Sequence, residues 1–398
     1  MVKVNEFAVE RWMDLYENDA KYNLAETCCA SVSLNDLRTF SGQQAEIIDY
    51  SQKQVYGAIR GSKDLRSNIA KLYSTDNHGS VSADNILVTN GAIQANFLAL
   101  YTNVGRGDHV ICHYPTYQQL YSVPESLGAE VSLWKTSPET GWQLDLAELK
   151  SLIRPNTKLI IINNPQNPTG AVLYREALQE IVDIARQHDI IIHCDEVYRP
   201  LFHSLQAEIP HSILDFGYDK VIATGSMSKA FSLAGIRLGW IASKNPEIIE
   251  SCASVRDYTL ISVGQLDDSV AAYALSSPCV DNLLQRNLHL AKQNLDVLEA
   301  FVREFDWAVT WVRPQAGTTA FLKFVKDGRL VNDVLFCQQL FDAYGVMLVP
   351  GSQCFGDGHD YKGFVRVGYA PERQVMVDGL EALKRFMKNG FEGVPTMS

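Results

Sequence analysis

The chain has 398 residues, enough for two domains or one large one with an ample core. Its apolar fraction of 46% and charged fraction of 20% are those of an ordinary soluble globular protein. A net charge of −11 speaks against a general binder of nucleic acid or anionic membrane, which needs a basic face, and leaves small substrates open.

The N-terminal MVKVNEFAVERW carries no apolar leader, and no run reaches the length of a membrane span. Eight scattered cysteines without a C-x-x-C pair have the usage of free thiols in a reducing compartment. The expectation is a cytoplasmic protein, with Cys28-Cys29 as two small packing residues.

In chain order, EFAVERWMDLYE (6–17) has helical spacing, with Phe7, Trp12, Leu15 and Tyr16 largely on one side. That face suits a partner subunit or the C-terminal third. The stretch to Asp36 reads as a loop, with Ser33 capping a short helix through Leu37. Ser62 precedes an amphipathic helix carrying Leu65, Ile69 and Leu72, and His78-Gly79 reads as a turn. From there strands and helices alternate. The strands are 85–89, 109–113, 130–134, 158–164, 190–196 and 220–225. Helices follow at GAIQANFLALYTNV, at TYQQLYSVPESLG with Pro124 bending it, and at REALQEIVDIARQHD.

Continuous apolar strands alternating with helices predict an α/β fold with a mostly parallel sheet covered by helices. Residues 280–305 form one long helical pattern, a link between domains. After it come the strand-like runs AVTWV, TTAFLKF, VMLVP and FVRVGY, with helices at 331–344 and 372–388. The expected organisation is an N-terminal segment (1–50), a large domain (51–284) and a smaller α+β domain (285–398) that the N-terminal segment joins.

In open parallel sheets, ligands sit beyond the carboxyl ends of the strands. That rule nominates 90–93, 114–117, 164–170, 195–198 and 226–229. Gly91-Ala92-Ile93 opens a helix whose free N–H groups suit an anion, although a plain tight turn has the same form. Two Asn-Pro steps in NNPQNPTG present Asn167 rigidly after a buried strand. Asp195, with Tyr198 three residues on, can pair with a cationic ring nitrogen and a ring oxygen, or simply cap a helix. Lys229, in SMSKAF, reads as a partly buried amine of lowered pKa, able to form an imine with an aldehyde cofactor. Ser226, Ser228 and Arg237 stand ready for a phosphate. Arg366 lies inside an apolar strand, where it needs either a substrate carboxylate or a structural Asp or Glu. Tyr117 and Tyr56 are aromatics beside candidate loops.

Ser226-x-x-Lys229 also matches the S-x-x-K of serine β-lactamases, but no S-D-N or K-T-G element follows. A nucleotide or metal site is unsupported, because no Walker loop, G-x-G-x-x-G or H-E-x-x-H occurs. A non-enzymatic binding protein is disfavoured by the convergence of polar residues at strand ends.

Taken together, these motifs resemble the class I/II aminotransferases of fold type I, the aspartate-aminotransferase-like pyridoxal-phosphate enzymes, over roughly residues 50–390. The resemblance implies pyridoxal 5'-phosphate held by Lys229 as an internal aldimine, with Lys229 also carrying the substrate proton. It implies that Asp195 keeps the ring nitrogen protonated and that Tyr198 and Asn167 bind the ring hydroxyl. Gly91, Ala92, Ile93, Ser226, Ser228 and Arg237 fall where the family binds phosphate, and Tyr117 where an aromatic stacks on the ring. Tyr56 is similar to the tyrosine that reaches the partner subunit's phosphate, which implies a homodimer with shared sites. Arg366 matches the arginine that clasps the substrate α-carboxylate, beside Asn167. An amino acid and a 2-oxo acid are the implied substrates, with neither nucleic acid nor membrane as partner.

One stretch departs from that pattern. ETCCASVSLNDL (26–37) has neither the glycine nor the proline of the family's substrate loop. Its arrangement after ERWMDLYE is similar to capreomycidine synthase-like enzymes, which eliminate from a hydroxylated arginine and cyclise it. A lyase or cyclase of specialised biosynthesis is therefore the alternative to transamination.

Overall fold

Apolar strands that alternate side chains between two covered faces account for most of the architecture. The structure is a computed structural model that describes residues 4–42, 46–73, 80–205 and 207–397; the expected turn at His78-Gly79 lies outside them. The chain opens with helix α1 (Ala8–Tyr16) and a two-residue strand β1 (Tyr22–Asn23). Helix α2 (Leu34–Ser41) starts at the expected cap: Ser33 and Asp36 form a reciprocal capping box, and the helix runs past Leu37 to Ser41. Helix α3 (Lys63–Leu72) starts at Ser62, whose hydroxyl accepts from the Leu65 N–H.

The alternation then builds one sheet. In order come β2 (Ile86–Thr89), α4 (Gly91–Asn103), β3 (His109–Tyr114), α5 (Gln119–Ser126), β4 (Glu130–Lys135), α6 (Leu146–Leu152) and β5 (Thr157–Asn163). They are followed by α7 (Arg175–Gln187), β6 (Ile191–Asp195), β7 (Val221–Ser226), β8 (Gly239–Ala242), α8 (Pro246–Arg256) and α9 (Gln265–Ala274). The strand order is β2-β8-β7-β6-β5-β3-β4.

Along the central strands, successive residues feed opposite cores. Ile86, Val88, Ile111, Ile160, Ile162 and Ile192 pack on one face beneath α3, α7 and α9. Leu87, Val110, Leu159, Ile161, Ile191 and Ile222 pack on the other beneath α4, α5 and α8. The exception to parallel order is β8, antiparallel to both β2 and β7. Only a short loop with a single 3-10 turn separates β7 from β8. The twelve residues of that loop form no crossover helix, and the chain comes back antiparallel. Helix α6 had no counterpart in the sequence expectations; Asp145 caps it through the Ala147 and Glu148 N–H groups.

Helix α10 (Cys279–Glu304) leaves the first core at Cys279 and Leu283 and enters a second at Ala291, Leu295 and Leu298. That second core holds β9 (Val309–Trp311), β10 (Thr319–Lys326), β11 (Arg329–Leu330), α11 (Asp333–Tyr344), β12 (Val346–Met347), β13 (Val349–Pro350), α12 (Gly351–Phe355), β14 (Phe364–Gly368) and α13 (Arg373–Asn389). Cys29, Leu37 and Ile47 of the N-terminal segment pack in the first core, and only the part through Ala25 joins the second. Val9 and Trp12 are buried there, the Trp12 indole donates to the Leu348 carbonyl at 2.8 Å, and β1 pairs in parallel with β12. Leu15, expected on the packed side of α1, is instead exposed: the helix buries only the Val9–Trp12 side.

Residues 24–32 then cross from the second core to the first. Gly368 N–H donates to the Leu24 carbonyl at 2.8 Å, Ala30 N–H to the Ala370 carbonyl at 2.8 Å, and Cys29 N–H to the Lys229 carbonyl at 3.3 Å. This crossing lays the loop over the carboxyl ends of the large sheet.

Candidate active site

The carboxyl ends of the central strands, the start of α4, the loop 25–28 and one side of α1 enclose a cavity of about 670 Å³. Lys229 follows β7 on a short loop and reaches into it, with 27% of its side-chain surface still open. Its Nζ donates to the Thr27 hydroxyl at 2.7 Å and lies 3.5 Å from Cys28 Sγ and 3.8 Å from Glu26 Oε1.

These neighbours reverse the sequence expectation of a lowered lysine pKa. Burial alone pushes the Lys229 ammonium down and is the largest single influence, but Cys28, Glu26 and Tyr198 together raise it above its usual value. Burial pushes the Cys28 thiol up to about 11, so it is neutral at pH 7. The anion facing Lys229 at neutral pH is therefore Glu26. Burial opposes its ionisation, yet Lys229 and the hydrogen bonds from Cys28 and Thr27 bring it down to about 2.

Asp195 ends β6 at the cavity floor. Its Oδ2 accepts from the Asn96 amide at 2.9 Å, and its Oδ1 from the Val197 N–H at 3.1 Å. Asn96 is oriented in turn by Thr224, whose hydroxyl donates to Asn96 Oδ1 at 2.6 Å. Burial raises the Asp195 carboxyl to about 6, against the opposing pull of Asn96, Val197 and Lys229. Such a carboxylate gains from a cationic partner. Tyr198 lies beside it, buried, with its phenol raised by burial.

Arg366 enters from β14, 3% exposed. One terminal nitrogen donates to Asn167 Oδ1 at 3.3 Å and the other to the Ala25 carbonyl at 2.9 Å. Its guanidinium carbon stands 5.3 Å above the Phe355 ring. No Asp or Glu pairs with it among the described residues, and its Nε has no partner. An arginine buried in this way, lining a cavity, is suited to an incoming carboxylate.

Where α4 begins, Gly91 has φ +75°, and a Cβ there would lie 2.8 Å from a terminal nitrogen of Arg237. Glycine thus lets the guanidinium close on the first N–H groups of the helix, which no side chain caps. Ala92, Ile93, Ser226, Ser228 and Arg237 all line the cavity at this end, and Arg237 Nη1 reaches the Ser228 hydroxyl at 3.4 Å. Helix N–H groups, two hydroxyls and a guanidinium around one small volume form a donor set that fits a phosphate. Together with Lys229 and Asp195, the residues present fit a phosphorylated pyridine aldehyde.

Tyr117 lines the same cavity, its hydroxyl donating to Glu10 at 2.6 Å and its ring tilted on Phe7 at 4.7 Å. Tyr56 does not join the others: it is 78% exposed and absent from the cavity wall. Cys29 packs in the large core as expected, whereas Cys28 faces the cavity. Asn96, Asn163, Glu10, Glu26 and Thr27 line the site without having been anticipated. Asn96 carried a signal as an amide at a core-facing position in the apolar helix GAIQANFLALY, Asn163 headed NNPQNPTG, and Glu26 and Thr27 opened the departing stretch.

The sequence model of the family described as aminotransferase class I and II matches residues 10–383. The aspartate aminotransferase of Thermotoga maritima is 30% identical, over 84% of this chain and 84% of that protein. Capreomycidine synthase of Streptomyces vinaceus is 28% identical, over 75% of this chain and 73% of that one. A solved PLP-dependent aminotransferase from Streptococcus suis superposes with a TM-score of 0.87 at 41% identity, covering 97% of this chain and 98% of its own.

Proposed function

The chain belongs to the aminotransferase class I and II family of enzymes, and we propose that it transfers an amino group between an L-amino acid and a 2-oxo acid with pyridoxal 5'-phosphate. The observation that carries this reading is Lys229, Asp195 and the carboxylate-seeking Arg366 facing one cavity.

In this reading Lys229 holds the cofactor through its aldehyde, and the start of α4 with Ser226, Ser228 and Arg237 holds the phosphate. Asp195 would pair with the ring nitrogen, Asn167 and Tyr198 would hold the ring hydroxyl, and Tyr117 would pack on the ring. When bound, the cofactor supplies an electron sink for charge developing at the substrate Cα. Asp195, already ionised above pH of about 6, keeps a cationic partner protonated by charge pairing. Arg366 binds the α-carboxylate and orients the Cα–H bond. Lys229 would take the Cα proton in its neutral amine form and return it. The floor around Asn96, Thr224 and Asp195 is buried, which limits water there.

The reading extends to a homodimer. Val55, Tyr56, Ile59, Tyr258 and Ile261 are exposed apolar residues. The Val55 carbonyl accepts from Gln265, which ties that segment to α9. Tyr56 then serves the partner copy. A cytoplasmic setting is supported by eight unpaired, buried cysteines.

The similarity to a capreomycidine synthase supports a second reading, elimination with cyclisation on the same scaffold. The test is spectroscopic. Purified protein given pyridoxal phosphate gains a near-ultraviolet or visible band that Lys229→Ala abolishes; no such band would sink the assignment. Amino acids that convert the band to the amine form with a matching oxo acid support transamination. Loss of water or ammonia without conversion supports elimination.

A further inference from the structure

The loop that departs from the family pattern carries a built anion. Glu26 Oε1 accepts from the Thr27 N–H at 2.6 Å and the Cys28 N–H at 3.0 Å, so its carboxylate is fixed by its own backbone. The backbone itself is held: Asn23 Oδ1 accepts from the N–H groups of Ala25 and Glu26 at 3.0 and 3.1 Å. Ala25, the residue before it, gives its carbonyl to Arg366. Glu26 is thus one residue from the group that anchors the carboxylate-binding arginine, and 45% of its side-chain surface stays open to the cavity.

Charge around the cavity is unevenly matched. Its lining cations are Lys229, Arg237 and Arg366. Under the function proposed above, on which this inference rests, a phosphate meets Arg237, a substrate carboxylate meets Arg366 and its orphaned Nε, and Lys229 is engaged at the reacting centre. Asp195 faces the ring. Glu26 then loses the cation it now faces. Glu10 and Asp14 on α1 and Glu17, the residue that ends it, recur at i, i+4 and i+7 and line the same cavity. Only Asp14 among these three has an ion pair, with exposed Arg11 at 3.1 Å. A bound amino acid therefore finds its α-carboxylate met by Arg366 and anions around its side chain.

We propose that the amino-group substrate is an L-amino acid whose side chain ends in a cation, an ammonium or a guanidinium, and that Glu26 is the residue that selects it. The acidic side of α1 adds a negative field at the mouth, which raises the local concentration of cationic substrates. Glutamate and aspartate are disfavoured by the same charges.

The experiment uses the cofactor-loaded enzyme and charge-matched pairs: L-arginine against L-citrulline, and L-ornithine against L-norvaline, with L-glutamate as the anionic control. Single-turnover change of the cofactor band gives kcat/KM for each. Equilibrium binding of α-methylornithine, which lacks a Cα hydrogen and cannot react, gives a Kd independent of turnover. The cationic member of each pair exceeds the neutral one by about tenfold or more, as a charge-assisted contact implies. Glu26→Gln keeps an oxygen for the Thr27 and Cys28 N–H groups. It lowers the arginine-to-citrulline ratio by about tenfold and weakens α-methylornithine comparably. Glu17→Gln, at an exposed position, lowers the same ratio severalfold at low salt.

Equal rates within the pairs, or ratios unmoved by both substitutions, overturn the selection while leaving the aminotransferase reading intact. A cofactor band that responds to no amino acid overturns both.

Discussion

The Asp195 carboxylate and the Asn96 amide meet at 2.9 Å in the buried floor of the cavity, one at the end of β6 and the other inside α4. Burial raises Asp195 from its usual 3.8 to about 6 even with that hydrogen bond. Between these two values the folded chain holds a proton that the unfolded chain has released. Its contribution to stability is therefore fully present below pH of about 4 and lost as pH rises through 6. In the cofactor-free protein, Asp195→Asn gains on wild type over that window by an amount on the order of 3 kcal/mol. Urea unfolding of both proteins at stepped pH checks this; a flat difference would contradict it.

Arg366→Ala removes the only cation, among the described residues, that is hydrogen-bonded to Asn167. The expected result is a fall in kcat/KM on the order of 100-fold or more, with cofactor affinity retained, since two charge-assisted hydrogen bonds go together. Arg366→Lys restores charge without the planar fork and recovers only part. Titration of the cofactor band alongside steady-state kinetics separates the two effects. Loss of cofactor binding would refute the assigned role.

Glu26 and Lys229 give a second pH signature in the cofactor-free chain. Glu26 is held down at about 2, so its stabilising contribution is present above pH of about 4.5 and lost as pH falls through 2. Glu26→Gln is predicted to be less stable than wild type at pH 7 by under about 1 kcal/mol, because the side chain is nearly half open to solvent. The difference closes as the solution is acidified. A gap that persists at pH 2 would assign the effect to packing instead.

Gly368 ends β14 directly beneath the crossing loop. A Cβ there would fall 1.8 Å from the Glu26 carbonyl oxygen and 2.9 Å from its carbon, backbone atoms that can move only with the whole loop. Gly368→Ala is expected to destabilise by about 1–3 kcal/mol. It also displaces Glu26, so the loss of cation preference accompanies the loss of stability. Chemical denaturation and the arginine-to-citrulline ratio measure the two.

Most of the cavity was legible because its signals are local. An apolar strand announces itself in five residues, and its carboxyl end then nominates Asp195, Asn167 and Lys229 without knowledge of the rest of the fold. Asn96 escaped because a single amide in GAIQANFLALY reads as a tolerated helix residue until Asp195 is seen beneath it. Glu26 escaped for a different reason. Residues 24–30 have no period, and their course is set by hydrogen bonds to Gly368, Ala370 and Lys229, hundreds of residues away. The lysine expectation inverted for the same cause: burial was foreseeable, but the opposing influence of Cys28 and Glu26 was not. Strand β8 was not among the expected strands: its four residues, Gly239–Ala242, are too few to show a pattern of their own.

The Ala25 carbonyl and the Arg366 guanidinium that clamp one side of the site are separated by 341 residues of chain. On the ribosome, where synthesis is vectorial, Ala25 emerges long before the strand it must lie against. The large sheet, with Cys29 already hydrogen-bonded to Lys229, can collapse while Leu24 and Ala25 still lack the strand they dock on. A nascent chain cut short before β14 has neither Arg366 nor the strand that Leu24 and Ala25 lie against.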